Sequence, residues 1–445
     1  MTEHLDVLSA FIRQTKFDHI PTETVFRAKL IIADCIGAIV GGSAEPEMLA
    51  LAKSIRSSGK ARILGSSNLA DPYTASLING TAGTVLEMDE GHQFARGHPG
   101  MHVFPALLAA SENADGLVSG TDFLTAFIVG YDIAARIGLA TSLNPNMHPH
   151  GTWGVVGAAA ALGALNELDE IQLSELINIA SSLTLATSRK TMLEGGTVRN
   201  AYTGVANQMA HLAYDLLMAG FSGEKDGLSS VFGRIVSSFF DVEAALEKIG
   251  ERFEVSRNYF KLHACCRYNH AALDAVWILI GQHPELQHPK DIARIDVESY
   301  FLAAELNDQK PHNSLAARFS IPFAIATTLI NQSSKVHCFT GSALSDHKIL
   351  ELAAKTTVIE NSDMSAKLPD LRPALVNIIM KDGSTFSEEV ATNRGDWQDP
   401  YNNVQLKDKY MSLTARRWSN QASEAVYKNL MALDELPDMS KVFDN

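Results

Sequence analysis

At 445 residues, with 46% hydrophobic and 20% charged residues, the chain is long enough for two domains or more and can bury large cores. Its net charge of −14 and the lack of any long Lys/Arg run argue against nucleic-acid binding, which cationic contacts to phosphate dominate, so an anionic ligand must be attracted locally. Four cysteines, Cys35, Cys265, Cys266 and Cys338, two of them adjacent, make no disulfide framework and read as reduced thiols.

Near-apolar runs such as "WGVVGAAAALGAL" (Trp153 to Leu165) fall short of the roughly 18 residues that cross a bilayer, and "MTEHLDVLSAF" carries no signal-peptide pattern, so a cytoplasmic protein is expected.

Helical patterns dominate the first 250 or so residues. In "TETVFRAKLIIADCIGAIVGG", Val25, Ala28, Ile32, Ile36 and Ile39 recur at helical spacing, with Pro21 before the helix and Gly41/Gly42 at its end, so one face is expected to pack into a core. "GVVGAAAALGALNEL" and "QMAHLAYDLLMAGF" are apolar nearly all round, as in helices buried inside a bundle. From about residue 291 short β-branched runs appear, "DIARIDVESYFL" and "PALVNIIMKDGSTFSEEV", the second with Asp382-Gly383 at a hairpin turn. Helical patterns lie between them at "RFSIPFAIATTLIN" and "SDHKILELAAKT". The expected fold is mainly α: a large all-helical domain over residues 1–258, a smaller α+β domain over 259–395, and C-terminal helices over 396–445 that return to the large domain after a Gly395 to Pro400 linker.

No phosphate-binding loop, GxGxxG turn, HExxH or GxSxG motif occurs. "HACCRYNH" crowds His263, Cys265, Cys266 and His270 together, but without CxxC spacing it reads better as buried thiols with hydrogen-bonded histidines than as zinc ligands. Four segments set cationic or titratable residues among small and apolar ones: "HQFARGHPGMHVFP" with Arg96 and His98, "NMHPHGTWGVVG" with His148 and His150, "EGGTVRNAYTG" with Arg199 and Tyr202, and "YFKLHACCRYNH" with Lys261, His263 and Arg267. Five of the 15 histidines fall between 92 and 150, and the helix start after His150 offers backbone N–H groups that favour an anion. Lys, Arg and several His suit a carboxylate ligand and proton transfer near neutral pH.

The order and wording of "GHPGMHVFPALLA", "MHPHGTWGVVGAAAALGAL", "GGTVRNAYTGVANQMA" and "YFKLHACCRYNHAALDA" resemble the successive signature segments of the MmgE/PrpD family, which contains methylcitrate dehydratase, cis-aconitate decarboxylase and iminodisuccinate epimerase. The similarity runs from the "ADCIGAIVGG" helix to the strands near 390. It implies an active site between a helical and an α+β domain, a homodimer, and no metal or organic cofactor. By motif it places the catalytic histidines on His98 and His148 and the catalytic lysine on Lys261, with Arg267 matching a frequent arginine of the family. Asp89 is expected to orient a histidine, because a carboxylate fixes the tautomer. Arg199, Arg267, Arg96, Tyr202 and His263 are the expected substrate contacts, with no metal ligands.

This sequence also departs from the family pattern. Gly91 in "MDEGH" stands where dehydrating and decarboxylating relatives carry Thr; Arg199 replaces a lysine, Tyr202 a histidine, and Phe323 a tyrosine. The chemistry the resemblance implies is a carbanion beside a carboxylate, stabilised by preplaced cations. With hydroxyl donors missing at these positions, the leading expectation is an isomerase that epimerises iminodisuccinate using two of His98, His148 and Lys261. The alternatives are a hydro-lyase that dehydrates a methylcitrate-like tricarboxylate and an inactive carboxylate-binding protein.

Overall fold

A computed structural model of the chain describes residues 3–444. It is mainly helical, with one four-stranded sheet and three two-stranded pairs among the described residues. Two apolar cores account for the layout. The larger is built from helices between residues 5 and 260 and is rejoined by Leu406, Tyr410, Val426 and Leu430 from the tail. The smaller spans residues 264 to 380 and also takes in Leu86, Met88, Met192 and Leu413.

The helix Thr22–Gly42 forms over the whole periodic stretch, but it is buried nearly all round and not on one face alone. Small residues explain this. Gly42 lies so close to helix Pro72–Thr84 that a Cβ there would sit 1.9 Å from the Ala82 carbonyl oxygen. Helix Gly154–Leu165 is likewise enclosed, and Gly157 meets the backbone oxygen of Gly130 in helix Gly120–Ala140. That last helix has 21 residues and is apolar enough by composition to cross a membrane, a stretch the sequence reading passed over, yet 89% of its apolar window is buried inside the fold. The expectation for "QMAHLAYDLLMAGF" is corrected: in helix Ala201–Met218 one face is buried through Thr203, Ala206, Asn207, Ala210 and Ala213, while Met218 at its end is exposed.

The smaller unit holds the sheet. Strands β1 (Ile292–Ser299), β2 (Thr356–Glu360), β3 (Ala374–Met380) and β4 (Thr385–Val390) stand in the order β4-β3-β1-β2. The β3–β4 pair is antiparallel, Thr385 opposite Ile379, and turns at Gly383, whose φ of +90° favours glycine. Strands β1 and β2 are parallel, and helices Ile321–Asn331 and His347–Ala353 lie between them in the chain. β3 alternates buried and half-buried residues, as expected of a sheet with one covered face.

Two features place the site at the seam between the cores. In the loop after helix Pro72–Thr84, Leu86 and Met88 enter the smaller core, while the interleaved carboxylates Glu87 and Asp89 meet Lys261. Gly91–His92 then pairs with Asn258–Tyr259, which brings the histidine-rich segment beside the lysine segment despite some 165 intervening residues.

Replacing Gly42 by alanine is expected to destabilise the protein by roughly 2 kcal/mol or more, because the new methyl has only backbone to press against. Chemical denaturation of the variant beside the wild type measures it.

Candidate active site

Lys261 is fully buried. A buried ammonium needs close counter-charges, and it has two: Glu87 Oε2 at 3.3 Å and Asp89 Oδ1 at 3.7 Å. Glu87 also pairs with Arg199 Nη1, and Asp89 Oδ2 lies 2.8 Å from His98 Nδ1. The outcome is one continuous cluster, Arg199–Glu87–Lys261–Asp89–His98, drawn from four separate segments. Burial alone would raise both carboxyls, but Arg199 and Lys261 hold Glu87 below its ordinary value, and His98 and Lys261 hold Asp89 well below the usual carboxylate range. Both are therefore ionised at neutral pH. Glu87 also has φ = +52°, uncommon for a residue with a side chain, so its placement is imposed by the surrounding packing.

His98 caps the helix Pro99–Asn113, and its carbonyl accepts from both His102 N and His102 Nδ1. With Asp89 at Nδ1, the other nitrogen, Nε2, is the one left to accept a proton. The neighbouring Glu90 accepts from Gly100 N at 2.8 Å and Tyr131 Oη at 2.9 Å, and burial pushes it up to about 8. Behind it, Lys409 from the C-terminal helix bonds both Asp34 and the Met88 carbonyl, fastening the acidic loop from its far side.

In the turn that leads into helix Gly154–Leu165 the first two amides are taken. Gly151 N donates to His102 Nε2 at 3.2 Å and His150 N to His148 Nδ1 at 3.1 Å, so histidines already use those amides. Burial, then Arg199, pushes His148 and His150 well down, and burial sets His102 at about 4. These three imidazoles stay neutral.

The cluster borders a partly open cavity of about 50 Å³ whose walls include Glu87, His98, His148, His150 and Arg199 from the helical side and Arg372 from the sheet side. An outer hollow of about 140 Å³ shares Arg96, Pro149, Arg189 and Tyr268 with it and forms its approach. Arg189 Nε bonds Glu305 Oε2 at 3.1 Å across that approach.

Of the nine expected site residues, the structure gathers His98, Asp89, Lys261, His148 and Arg199 in contact, with Arg96 exposed at the mouth. Lys261 lies beneath the cavity, held by carboxylates, and is not on its lining. Arg267 reaches the lining, but its Nη2 is committed to Asp396 Oδ1 at 2.7 Å and to the Arg394 carbonyl at 3.0 Å; it fastens the 393–396 segment. Tyr202 packs behind His148, with ring centroids 5.9 Å apart, and is not on the lining. His263 is turned away: Nδ1 meets Ser334 Oγ at 2.6 Å and Nε2 meets Asp274 Oδ1 at 3.1 Å. Its placement corrects the expectation of a substrate contact.

The space left by Gly91 is not empty. A Cβ at Gly91 would lie 2.3 Å from the Tyr259 hydroxyl, so a phenol from the facing strand occupies the place a side chain here would take. Tyr259, Glu87 and Arg372 are among the lining residues that motif reading missed, as are Arg189 and Tyr268. Glu87 was within sight, two residues before Asp89 in "LEMDE", whereas nothing in "LPDLRPAL" marks Arg372.

The MmgE/PrpD N-terminal domain matches residues 6–244 and the MmgE/PrpD C-terminal domain matches residues 263–433. The chain belongs to the MmgE/PrpD family. It is a family of enzymes, and the relatives of this member include the cis-aconitate decarboxylase of Aspergillus terreus, 25% identical with 96% of this chain and 92% of the relative covered. The cis-aconitate decarboxylases of Mus musculus and Homo sapiens are each 24% identical, covering 97% and 96% of this chain and 91% of their own length.

The buried histidines set the acid stability of this family member. His102 and His211 are lowered to about 4 by burial, and His148, His150 and His270 lie well below their ordinary value. In the unfolded chain they titrate near 6.5, so below that pH the unfolded state binds more protons and stability rises with pH. This outweighs the opposite contributions of Glu90 and Asp132, raised by burial to about 8 and about 6, which favour the folded state at lower pH. Calorimetric melting temperatures are expected to fall by several degrees as pH is lowered from 7 to 5.

Proposed function

We propose that this enzyme abstracts a proton α to a carboxylate of a di- or polycarboxylate, using His98 Nε2 as the base, and that the outcome is epimerisation of iminodisuccinate. The observation that carries this reading is the His98–Asp89 contact at 2.8 Å beside a cavity bordered by arginines. Asp89 holds the proton on Nδ1 and stabilises the imidazolium that forms when Nε2 takes one from substrate. The electron pair left on carbon spreads onto the carboxylate oxygens, where guanidinium groups offset the charge. Arg199 is one such group, with Glu87 fixing its position. Lys261 contributes charge from below the cavity and does not act as the opposing base, because both its carboxylate partners are ionised. Epimerisation needs a second proton-transfer group on the other face of the carbon, and the neutral imidazoles of His148 and His150 line the same cavity.

A second reading has an observation in its favour. The Tyr259 hydroxyl supplies the donor that Gly91 lacks, so a lyase acting on a tricarboxylate by loss of water or CO2 does not want for a hydroxyl, and the relatives above are named as decarboxylases. We also propose that the protein works as a homodimer. The exposed apolar side chains Val198, Met218 and Phe221 at either end of the Ala201–Met218 helix support this, and size-exclusion chromatography with light scattering tests it.

Incubation of iminodisuccinate, citrate and cis-aconitate in D2O, followed by NMR, separates the outcomes. Deuterium uptake at the α-carbon with loss of stereochemical purity is expected with iminodisuccinate. A new alkene signal from citrate, or loss of CO2 from cis-aconitate, decides for the lyase. His98→Asn is expected to slow the exchange by about 10²- to 10⁴-fold; exchange at the wild-type rate would remove His98 from the mechanism.

A further inference from the structure

Arg372 sits just before strand β3 and is buried, 4% exposed, on the lining of the cavity. Of the other buried arginines nearby, Arg199 has Glu87 and Arg267 has Asp396, while Arg318 has only the carbonyls of Leu86 and Ala264 and lies off the lining. Among the described residues Arg372 has no carboxylate within ion-pair distance. Its Nη2 gives a hydrogen bond to the Gln93 carbonyl and its guanidinium stands 5.7 Å from the centre of the Tyr268 ring, which leaves most of its five donors unused. Asp396 and the surrounding phenols act on it from beyond ion-pair distance, and its free donors on the cavity lining are placed to take an anion.

Tyr259 lies on the same wall. It is 3% exposed, its ring packs on the Arg267 guanidinium at 4.7 Å, and its hydroxyl makes no hydrogen bond to any described residue. Burial keeps the phenol protonated, well above its ordinary value, so the hydroxyl is a neutral donor. The position of that hydroxyl is built in sterically. The ring and hydroxyl fill the volume that a side chain at Gly91 would take, with Cζ 2.4 Å from where Cβ would be.

We propose that Arg372 and Tyr259 form a carboxylate subsite, in which the free guanidinium edge of Arg372 and the Tyr259 hydroxyl receive a carboxylate of the substrate other than the one beside the reacting carbon. The proposal rests on the polycarboxylate reading above and deepens it. A donor pair on the wall contributed by β3 and the Asn258–Tyr259 strand, facing the same cavity as His98, would fix the length of a bound molecule by two charged ends. It also gives Gly91 a role: any side chain there would push the phenol out of the subsite.

Isothermal titration calorimetry with citrate and succinate as probes, on the full chain, tests this without requiring turnover. Arg372→Met keeps the apolar stem and is expected to weaken citrate binding roughly 30- to 100-fold, in line with loss of a charge-assisted hydrogen-bond pair. Tyr259→Phe is expected to weaken it roughly 3- to 10-fold, as for one neutral hydrogen bond. Arg372→Lys is expected to fall between wild type and Arg372→Met, which a merely structural role would not produce, and circular dichroism checks that each variant is folded. Gly91→Ala should reproduce the Tyr259→Phe loss. Citrate binding by Arg372→Met at wild-type affinity overturns the proposal, as does a wild type that binds neither probe. His98→Asn separates the two readings: it is expected to retain citrate binding while losing deuterium exchange. Arg372-dependent binding without any exchange would leave the subsite standing and remove the proposed reaction.

Discussion

The site depends on keeping an ammonium in a dry interior. Lys261 has no solvent contact, and an uncompensated charge there would be too costly for the fold to retain. Glu87 and Asp89 neutralise it, and each has a second partner on its far side, the Arg199 guanidinium for one and the His98 imidazole for the other. Because the carboxylates are shared, loss of Arg199, Glu87, Lys261 or Asp89 leaves a buried charge without its counter-charge. The chain thus joins four segments by electrostatics at the boundary of two apolar cores.

Supports behind the cluster make it rigid. Leu86 and Met88 anchor the acidic loop in the smaller core on either side of Glu87, and Arg318 bonds the Leu86 carbonyl at 2.8 Å. Lys409, from a helix near the C-terminus, bonds Asp34 and the Met88 carbonyl. The returning tail therefore bears on the buried charge cluster as well as on the packing of the large core. The same logic explains the histidines. His102 is used on both nitrogens, from the His98 carbonyl to Gly151 N, and His92 meets Glu254 at 3.1 Å, so of the histidines in "HQFARGHPGMHVFP" His98 alone lines the cavity.

Much of the fold was legible. Helical spacing marked Thr22–Gly42 and Gly154–Leu165, and alternation around Asp382-Gly383 marked the β3–β4 hairpin, because local periodicity follows directly from which face is buried. The segments singled out by their wording carry His98, His148, Lys261 and Arg199, which the fold brings into contact. Where reading failed, a non-local contact had decided the matter. His263 resembles a site residue in its segment, but Ser334 and Asp274, distant in sequence, occupy both its nitrogens. Arg267 carries the charge expected of a substrate contact, yet the 393–396 segment takes up most of it.

Gly91 marks the boundary most sharply. The residue type was plain in the sequence, and so was the loss of a hydroxyl from that strand. That the hydroxyl returns from Tyr259 followed only from the antiparallel pairing of Gly91–His92 with Asn258–Tyr259, which sets one backbone against the other. By itself the sequence determined the family, the helical architecture and the residues able to move protons, since these follow from composition, periodicity and motif. The tertiary structure decided which of those residues face a common cavity and which cations remain without a partner, because charge pairing in a buried site is a matter of distance through space.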